Sequence, residues 1–346
     1  MVLIKKEIIS GIPTYYVDKD ITDTKAEELK NTFVKSKQIK LILDNDADVY
    51  TIDEKLLLRF RKNKLSDTNI SDFYDNIIDF AMKPTSNRGS ASGSKNKNVK
   101  ENPKIMTNII GFFDTFSPRQ KMKMKTLKIK VEGSRPCRFN IQFPEKYKKI
   151  IPLIKEVDEL YKKYIPMSYK KQYDKAKQTY FRIDKTSFTT ITTNVNFQTT
   201  IHKDKGDDAE GFGNLVVIEN GKYTGGETCF PQYGIGVNVR TGDVLFMDVH
   251  QWHGNLPIKA KTKDAKRLSI VCYLRHKVWL NTKGKPKSFL TKRTEEIMKL
   301  SNDKTRKNIL LKNDKIKKNK KNKTKKTKKN KTKKNKTKKT RKNILL

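Results

Sequence analysis

Four histidines occur in the 346 residues, and their placing gives the chain its chemistry. His202-Lys-Asp204 sets an imidazole and a carboxylate two residues apart, so on an extended backbone both side chains point the same way. His250 and His253 follow beyond Gly242-Asp-Val-Leu-Phe-Met247, and Arg267-Leu-Ser269 heads an apolar run that ends at Leu274. An imidazole and a carboxylate from one short segment, joined by an imidazole from a distant one, make the three-ligand face of a non-haem Fe(II) site. That face leaves positions for a chelating oxo-acid and for oxygen. An arginine on the next strand can grip a distal carboxylate in the planar, two-pronged way that lysine cannot. Ser269 lies two residues further along the same face and can add a hydroxyl donor.

Each piece also has a plainer reading. A His-x-Asp is often a surface histidine beside an acid, a strand serine often bonds a backbone carbonyl, and His250 competes with His253 for the second imidazole. The weight comes from the ordered set, with 49 residues from Asp204 to His253 and 14 more to Arg267. His276, past the last apolar run, reads as a surface residue, and Trp252 as packing beside a ligand.

Such residues need strands to hold them. Segments 187–195, 215–218, 235–239, 244–247 and 268–274 are short apolar or β-branched runs, separated by turn signals at Glu219-Asn-Gly221, Gly225-Gly226, Gly234 and Gly242-Asp243. Many short strands without helices between them predict an antiparallel sandwich or barrel rather than a doubly wound sheet. Upstream, 109–113 and 126–131 have strand character. Ile150, Leu153, Ile154, Val157, Leu160, Tyr161 and Tyr164 trace one face of a helix that stops before Pro166 and packs outside the sheet.

Residues 1–84 read as a small mixed α/β region. Thr14-Tyr-Tyr-Val17 and 39–43 are strand-like, Ala26, Leu29 and Phe33 recur at helical spacing, and Ser71 caps a helix that buries Phe73, Ile77, Phe80 and Ala81 before Pro84. Residues 85–105 form a loop or linker rich in Gly, Ser, Asn and Lys. Within it Arg88-Gly-Ser-Ala-Ser-Gly93 reads either as plain linker or as a glycine-backed approach to a phosphate. The main domain covers 106–282, a short helical extension covers 283–311, and 312–346 is a Lys/Asn/Thr tail too poor in apolar residues to fold. Thr-Arg-Lys-Asn-Ile-Leu-Leu occurs at 305–311 and again at 340–346.

The formal net charge is +41, and residues 301–346 hold 22 Lys or Arg against Asp303 and Asp314. Taking that +20 away still leaves the body at +21. A polyanionic partner explains such a balance, and so does a codon bias towards Lys, Asn and Ile. Cys137, Cys229 and Cys272 are far apart and form no C-x-x-C, so a reducing, intracellular compartment is expected, nucleus or cytoplasm. No apolar window is long enough for a bilayer, and a signal peptide is not expected.

Phe188-Thr-Thr-Ile-Thr-Thr-Asn194, His202-Lys-Asp-Lys-Gly206, Gly211-Phe-Gly-Asn-Leu-Val-Val217, Gly225-Gly-Glu227 and Gly242-Asp-Val-Leu-Phe-Met-Asp-Val-His-Gln-Trp-His-Gly-Asn255 resemble the Tet/JBP branch of the Fe(II)/2-oxoglutarate oxygenases. The likeness covers roughly residues 106–280, with Arg88–Gly93 and Gly111-Phe-Phe-Asp114 extending it upstream. It implies an α+β, mainly β fold, with a double-stranded β-helix (jelly-roll) core and flanking helices. It also implies Fe(II), 2-oxoglutarate and O2 as cofactor and co-substrates, and oxidation of the methyl group of thymine or methylcytosine in nucleic acid, DNA first. By position His202, Asp204 and His253 would bind iron, the later histidine suiting the pattern better than His250. Arg267, with Ser269, would bind 2-oxoglutarate. Asn194, Asn196 and Arg88 flank the site and are candidates to touch the substrate. A prolyl or lysyl hydroxylase of the same fold would share the metal site, and a binding module without chemistry would share the basic surface. The oligomeric state stays open, with a monomer compatible.

Overall fold

The computed structural model describes residues 2–85, 89–93, 105–128 and 133–301. Arg88, most of the Gly/Ser-rich segment and the tail over 312–346 lie outside the described residues. There are two compact units, Met1–Thr115 with Gly133–Thr294, and Phe116–Glu132 with Glu295–Leu346. The strands in chain order are β1 Val2–Ile9, β2 Ile12–Asp18, β3 Leu41–Leu43, β4 Ala47–Thr51, β5 Leu56–Arg61, β6 Thr107–Phe113, β7 Arg135–Pro136 and β8 Thr190–Val195. They continue with β9 Gly213–Asn220, β10 Tyr223–Gly225, β11 Thr228–Phe230, β12 Ile235–Val237, β13 Val244–Met247, β14 Gly254–Asn255, β15 Ile258–Ala260 and β16 Lys266–Tyr273. The helices are α1 Asp23–Glu28, α2 Asp67–Ala81, α3 Pro118–Leu127, α4 Arg138–Gln142, α5 Pro144–Tyr164, α6 Pro166–Ala176, α7 His276–Thr282 and α8 Lys287–Ser301.

In the first unit ten strands make one sheet, ordered β1-β2-β4-β5-β13-β9-β16-β8-β6-β7, and a second sheet runs β14-β11-β12-β3. Side chains alternate across a strand, so each central strand feeds two cores. Val216 and Ile218 of β9, with Val244 and Phe246 of β13, pack against Phe73 and Ile77 of α2 and Leu153, Val157 and Tyr161 of α5. Their neighbours Leu215, Val217, Leu245 and Met247 turn the other way, onto Phe230, Ile235 and Val237 of the small sheet. Fully burying each such side chain is worth about 1.5–3 kcal/mol, which makes the double-sided strands the anchor of the unit. The expected mainly β, α+β architecture is present as this large sheet between a helical layer and a smaller sheet.

Several local expectations differ. The first 84 residues are not set apart: β1, β2, β4 and β5 extend the large sheet, with Val244–Met247 paired to Leu58–Arg61. Helix α2 starts at Asp67 after Ser66, so Ser71 lies inside it rather than at its cap. In the second unit α3 occupies the region where a strand over 126–131 was expected. Ser117 and Gln120 cap it reciprocally, Gln120 N–H donating to Ser117 Oγ (3.3 Å) and Ser117 N–H to Gln120 Oε1 (2.9 Å). It ends at Lys128 in the left-handed conformation, and 129–131 lie outside the described residues.

Candidate metal and co-substrate site

His202 and Asp204 sit on the segment that follows β8, and His253 immediately precedes β14. The two segments run antiparallel. His202 and His253 form a β-bridge, and Asp204 N–H donates to the Val249 carbonyl at 2.9 Å. The spacing of two therefore puts the His202 and Asp204 side chains on one side, facing His253. His202 Nε2 lies 3.6 Å from Asp204 Oδ1, and His253 Nε2 lies 3.6 Å from Asp204 Oδ2. One ligand atom from each of the three falls within 4.8 Å of the others. Metal bonds of about 2.0–2.2 Å place neighbouring donors about 3 Å apart, so small side-chain movements close the set.

The tautomers follow from what holds each ring from behind. His202 Nδ1 lies 2.6 Å from the Thr200 carbonyl and His253 Nδ1 lies 3.0 Å from the Gln251 carbonyl. A carbonyl only accepts, so Nδ1 carries the hydrogen on both rings and the Nε2 lone pairs are left for a metal. Thr200 is itself tied down, its N–H donating to the Ala91 carbonyl at 2.9 Å, while Ile201 exchanges backbone bonds with Thr32 and Asn31. Phe230 and Trp252, both almost fully buried, make the apolar surround, with the Phe230 ring 6.3 Å from that of His253.

His250 stays apart from this group. Its ring Nδ1 donates to Asp248 Oδ1 at 3.1 Å, and that bond raises its pKa. His276 opens α7, with Nδ1 3.6 Å from the buried carboxylate of Asp208.

Arg267 and Ser269 occupy alternate positions on β16, on the face opposite the helical core that takes Leu268, Ile270 and Cys272. Arg267 is 4% exposed and forms no ion pair with an acid among the described residues. Burial pushes its pKa down, the sign of a charge removed from water without a matching carboxylate. Gly226, with φ +82°, lies against it, and a Cβ there would stand 2.8 Å from the guanidinium Nε, so the backbone must stay bare. Ser269 Oγ accepts from Asn194 Nδ2 at 3.3 Å, and Asn194 Oδ1 accepts from Thr107 Oγ1 at 3.0 Å. Thr192 and Tyr273 join hydroxyls at 3.2 Å one register pair further along. This buried polar strip over β6, β8 and β16 is a part of the site that sequence reading reached only through Asn194. Its sequence signal is the Thr-x-Thr-x-Asn alternation of β8 inside a fully buried strand.

The expectation that Asn196 touches substrate is corrected. Its side chain is spent on backbone, Nδ2 donating to the Ala265 carbonyl and Oδ1 accepting from Arg267 N–H, both at 2.7 Å. Asn196 thus fixes the start of β16 and with it Arg267. Arg88 lies outside the described residues.

Two imidazoles and a carboxylate beside a buried, acid-free arginine define an oxygenase-type metal site on a two-sheet β scaffold. Residues 128–276 match the Tet_JBP family model, the oxygenase domain of the 2OGFeDO superfamily, and this chain belongs to that family. The superfamily uses Fe(II), 2-oxoglutarate and O2. The chain is 30% identical over 201 residues to thymine dioxygenase JBP1 of Trypanosoma brucei brucei, an alignment covering 58% of this chain and 22% of that one. It is 39% identical over 124 residues to the bifunctional helicase and thymine dioxygenase JBP2 of Leishmania tarentolae, covering 36% and 11%. It thus spans at most about a fifth of those relatives. The solved structure of NgTET1 in complex with 5mC DNA aligns over 80% of this chain and all of that one, at 15% identity and a TM-score of 0.47. No helix among the described residues is long and apolar enough to cross a membrane.

Proposed function

We propose that the chain is an Fe(II)- and 2-oxoglutarate-dependent dioxygenase that hydroxylates the methyl group of thymine or methylcytosine in nucleic acid, DNA first. The observation that carries the reading is the His202, Asp204 and His253 cluster, with both Nε2 atoms turned inward, beside Arg267. In this reading His202, Asp204 and His253 hold Fe(II), Arg267 holds the distal carboxylate of 2-oxoglutarate, and Ser269 donates beside it. The two facing sheets are read as the halves of a double-stranded β-helix.

Fe(II) and 2-oxoglutarate, when bound, supply the oxidation of a C–H bond by O2 coupled to decarboxylation. The chain's own part is positional. Backbone carbonyls hold the two imidazoles, Phe230 and Trp252 keep water from one side, and the Asn194–Ser269 pair fixes the wall over which the oxo-acid lies. The thymine dioxygenases among its relatives support the base as substrate, and the charge of +21 outside the tail suits a polyphosphate. A base in a duplex must leave the stack, at a cost of a few kcal/mol that phosphate contacts offset.

The test is mass spectrometry of nucleosides after the protein is incubated with Fe(II), 2-oxoglutarate and DNA containing thymine or methylcytosine. A hydroxymethyl base is expected. Succinate released only when a peptide is supplied, with no new base, would sink the reading.

A further inference from the structure

We infer that Tyr223 is a further donor to the distal carboxylate, set beside Arg267, and that it helps the site select a dicarboxylic oxo-acid. The inference rests on the co-substrate reading above. Tyr223 is 7% exposed, and its hydroxyl oxygen is buried with no hydrogen-bond partner. A phenol in that state loses the stabilisation water would give it, so a missing partner must be identified.

The neighbours say what kind of partner that is. Arg240 lies over the Tyr223 ring, its guanidinium carbon 4.7 Å from the centroid, and bonds Glu219 Oε1 at 3.0 Å, which fixes the ring from that side. Glu219 also bears on the phenol, but its oxygens are engaged, Oε1 by Arg240 and Oε2 by the amide (3.0 Å) and hydroxyl (3.2 Å) of Thr241. The remaining charged neighbour is Arg267. A guanidinium has five donors and no acceptor, so it cannot take the Tyr223 hydrogen.

Two buried donors therefore share one neighbourhood, and neither has an anion. Local architecture ties them together: Tyr223 begins β10, the strand runs to Gly225, and Gly226 then lies against the Arg267 guanidinium. A carboxylate offers two oxygens and about four lone-pair sites, enough for a two-pronged guanidinium and one phenol. An oxo-acid without a distal carboxylate would leave both donors bare, so the pair rejects it.

The experiment titrates the full chain, loaded with Mn(II), with 2-oxoglutarate and with 2-oxopentanoate, which has the same carbon chain but no distal carboxylate. Tyr223→Phe removes only the hydroxyl. It is expected to weaken 2-oxoglutarate by about tenfold while Mn(II) and 2-oxopentanoate bind as in the wild type. Unchanged 2-oxoglutarate affinity in the variant overturns the inference and leaves the co-substrate site standing. Equal loss for both acids, or loss of Mn(II), makes Tyr223 a packing residue and overturns it as well. A wild-type chain that binds Mn(II) but no 2-oxoglutarate overturns the reading of the site itself.

Discussion

His202 and His253 exchange both of their backbone hydrogen bonds, His202 N–H to the His253 carbonyl at 2.9 Å and the reverse at 3.0 Å, which brings their ring centroids to 4.4 Å. The two imidazoles are thus placed by the same backbone pair, and Asp204 rides two residues along one of its strands. Losing a ligand leaves the other two in place but with too few donors. His202→Ala, Asp204→Ala and His253→Ala are each expected to weaken Mn(II) binding by more than about 100-fold. His250→Ala, whose ring is held by Asp248, is expected to bind Mn(II) within about twofold of the wild type. Calorimetric titration of the four variants checks this, and loss of binding in His250→Ala would reassign the distal ligand.

Arg267 gives an opposite pairing of stability and function. Its charge is buried without an acid, a cost that an apolar side chain of similar length does not carry. Arg267→Met is expected to raise unfolding stability by about 1–2 kcal/mol while abolishing 2-oxoglutarate binding. Arg267→Lys should not restore binding, since an ammonium lacks the planar fork. Urea unfolding and calorimetry on the same samples measure both effects. A destabilised Met variant would mean that the guanidinium has a structural role of its own.

The triad and Arg267 were legible because histidine is scarce in this chain and the ligand types recur in a fixed order along it. The strands around them were legible where apolar runs are pure, as in β13, whose bounds match expectation. β4 and β5 were missed because Asp48 forms ion pairs with Arg59 and Arg61, both at 2.7 Å, so buried charge hides the strand pattern. The alternation in Thr126-Leu-Lys-Ile-Lys suggested a strand, but the Ser117–Gln120 capping box nucleated a helix that runs to Leu127. The grip of Ala91 and Thr32 on 200–201 was invisible in principle, since backbone bonds between loops leave no side-chain signature. Asn196 resembled a substrate residue by position, yet it adopts φ +46° and closes backbone bonds, a role asparagine fills because it tolerates that region and carries both a donor and an acceptor.

The Asp248–His250 pair predicts a pH dependence whose sign can be worked out. The hydrogen bond to Asp248 raises the His250 pKa above 6.5, so its stabilisation is fully present below that value and is lost as pH rises through the raised one. Burial pushes the Asp248 carboxyl up, but hydrogen bonds from His250 and Gln251 outweigh it and leave the pKa low. Its stabilisation is present above the usual carboxylate value, about 4, and is lost as pH falls through the lowered one. The pair therefore contributes most between about pH 4 and 6.5. Urea unfolding of His250→Gln against the wild type, both without metal, should show a larger deficit at pH 5.5 than at pH 8.5. An equal deficit at both would mean that the ring acts through packing alone.

Residues 312–346 carry 19 Lys or Arg against the single acid Asp314, close to half of the whole chain's net charge. Each phosphate neutralised by such residues releases a counterion, so nucleic-acid affinity falls with salt at a slope set by the number of contacts, about 0.7–0.9 per phosphate. A chain truncated after residue 311 is expected to bind DNA more weakly at 50 mM salt and to show a shallower slope. Its succinate yield from a free nucleotide should not change, because the candidate ligands and Arg267 all lie in residues 128–276, far from the cut in sequence. Fluorescence anisotropy across a salt series measures the first two quantities and mass spectrometry the third. A slope equal to that of the intact chain would place the phosphate contacts in the folded body, whose own charge of +21 would then be the binding surface.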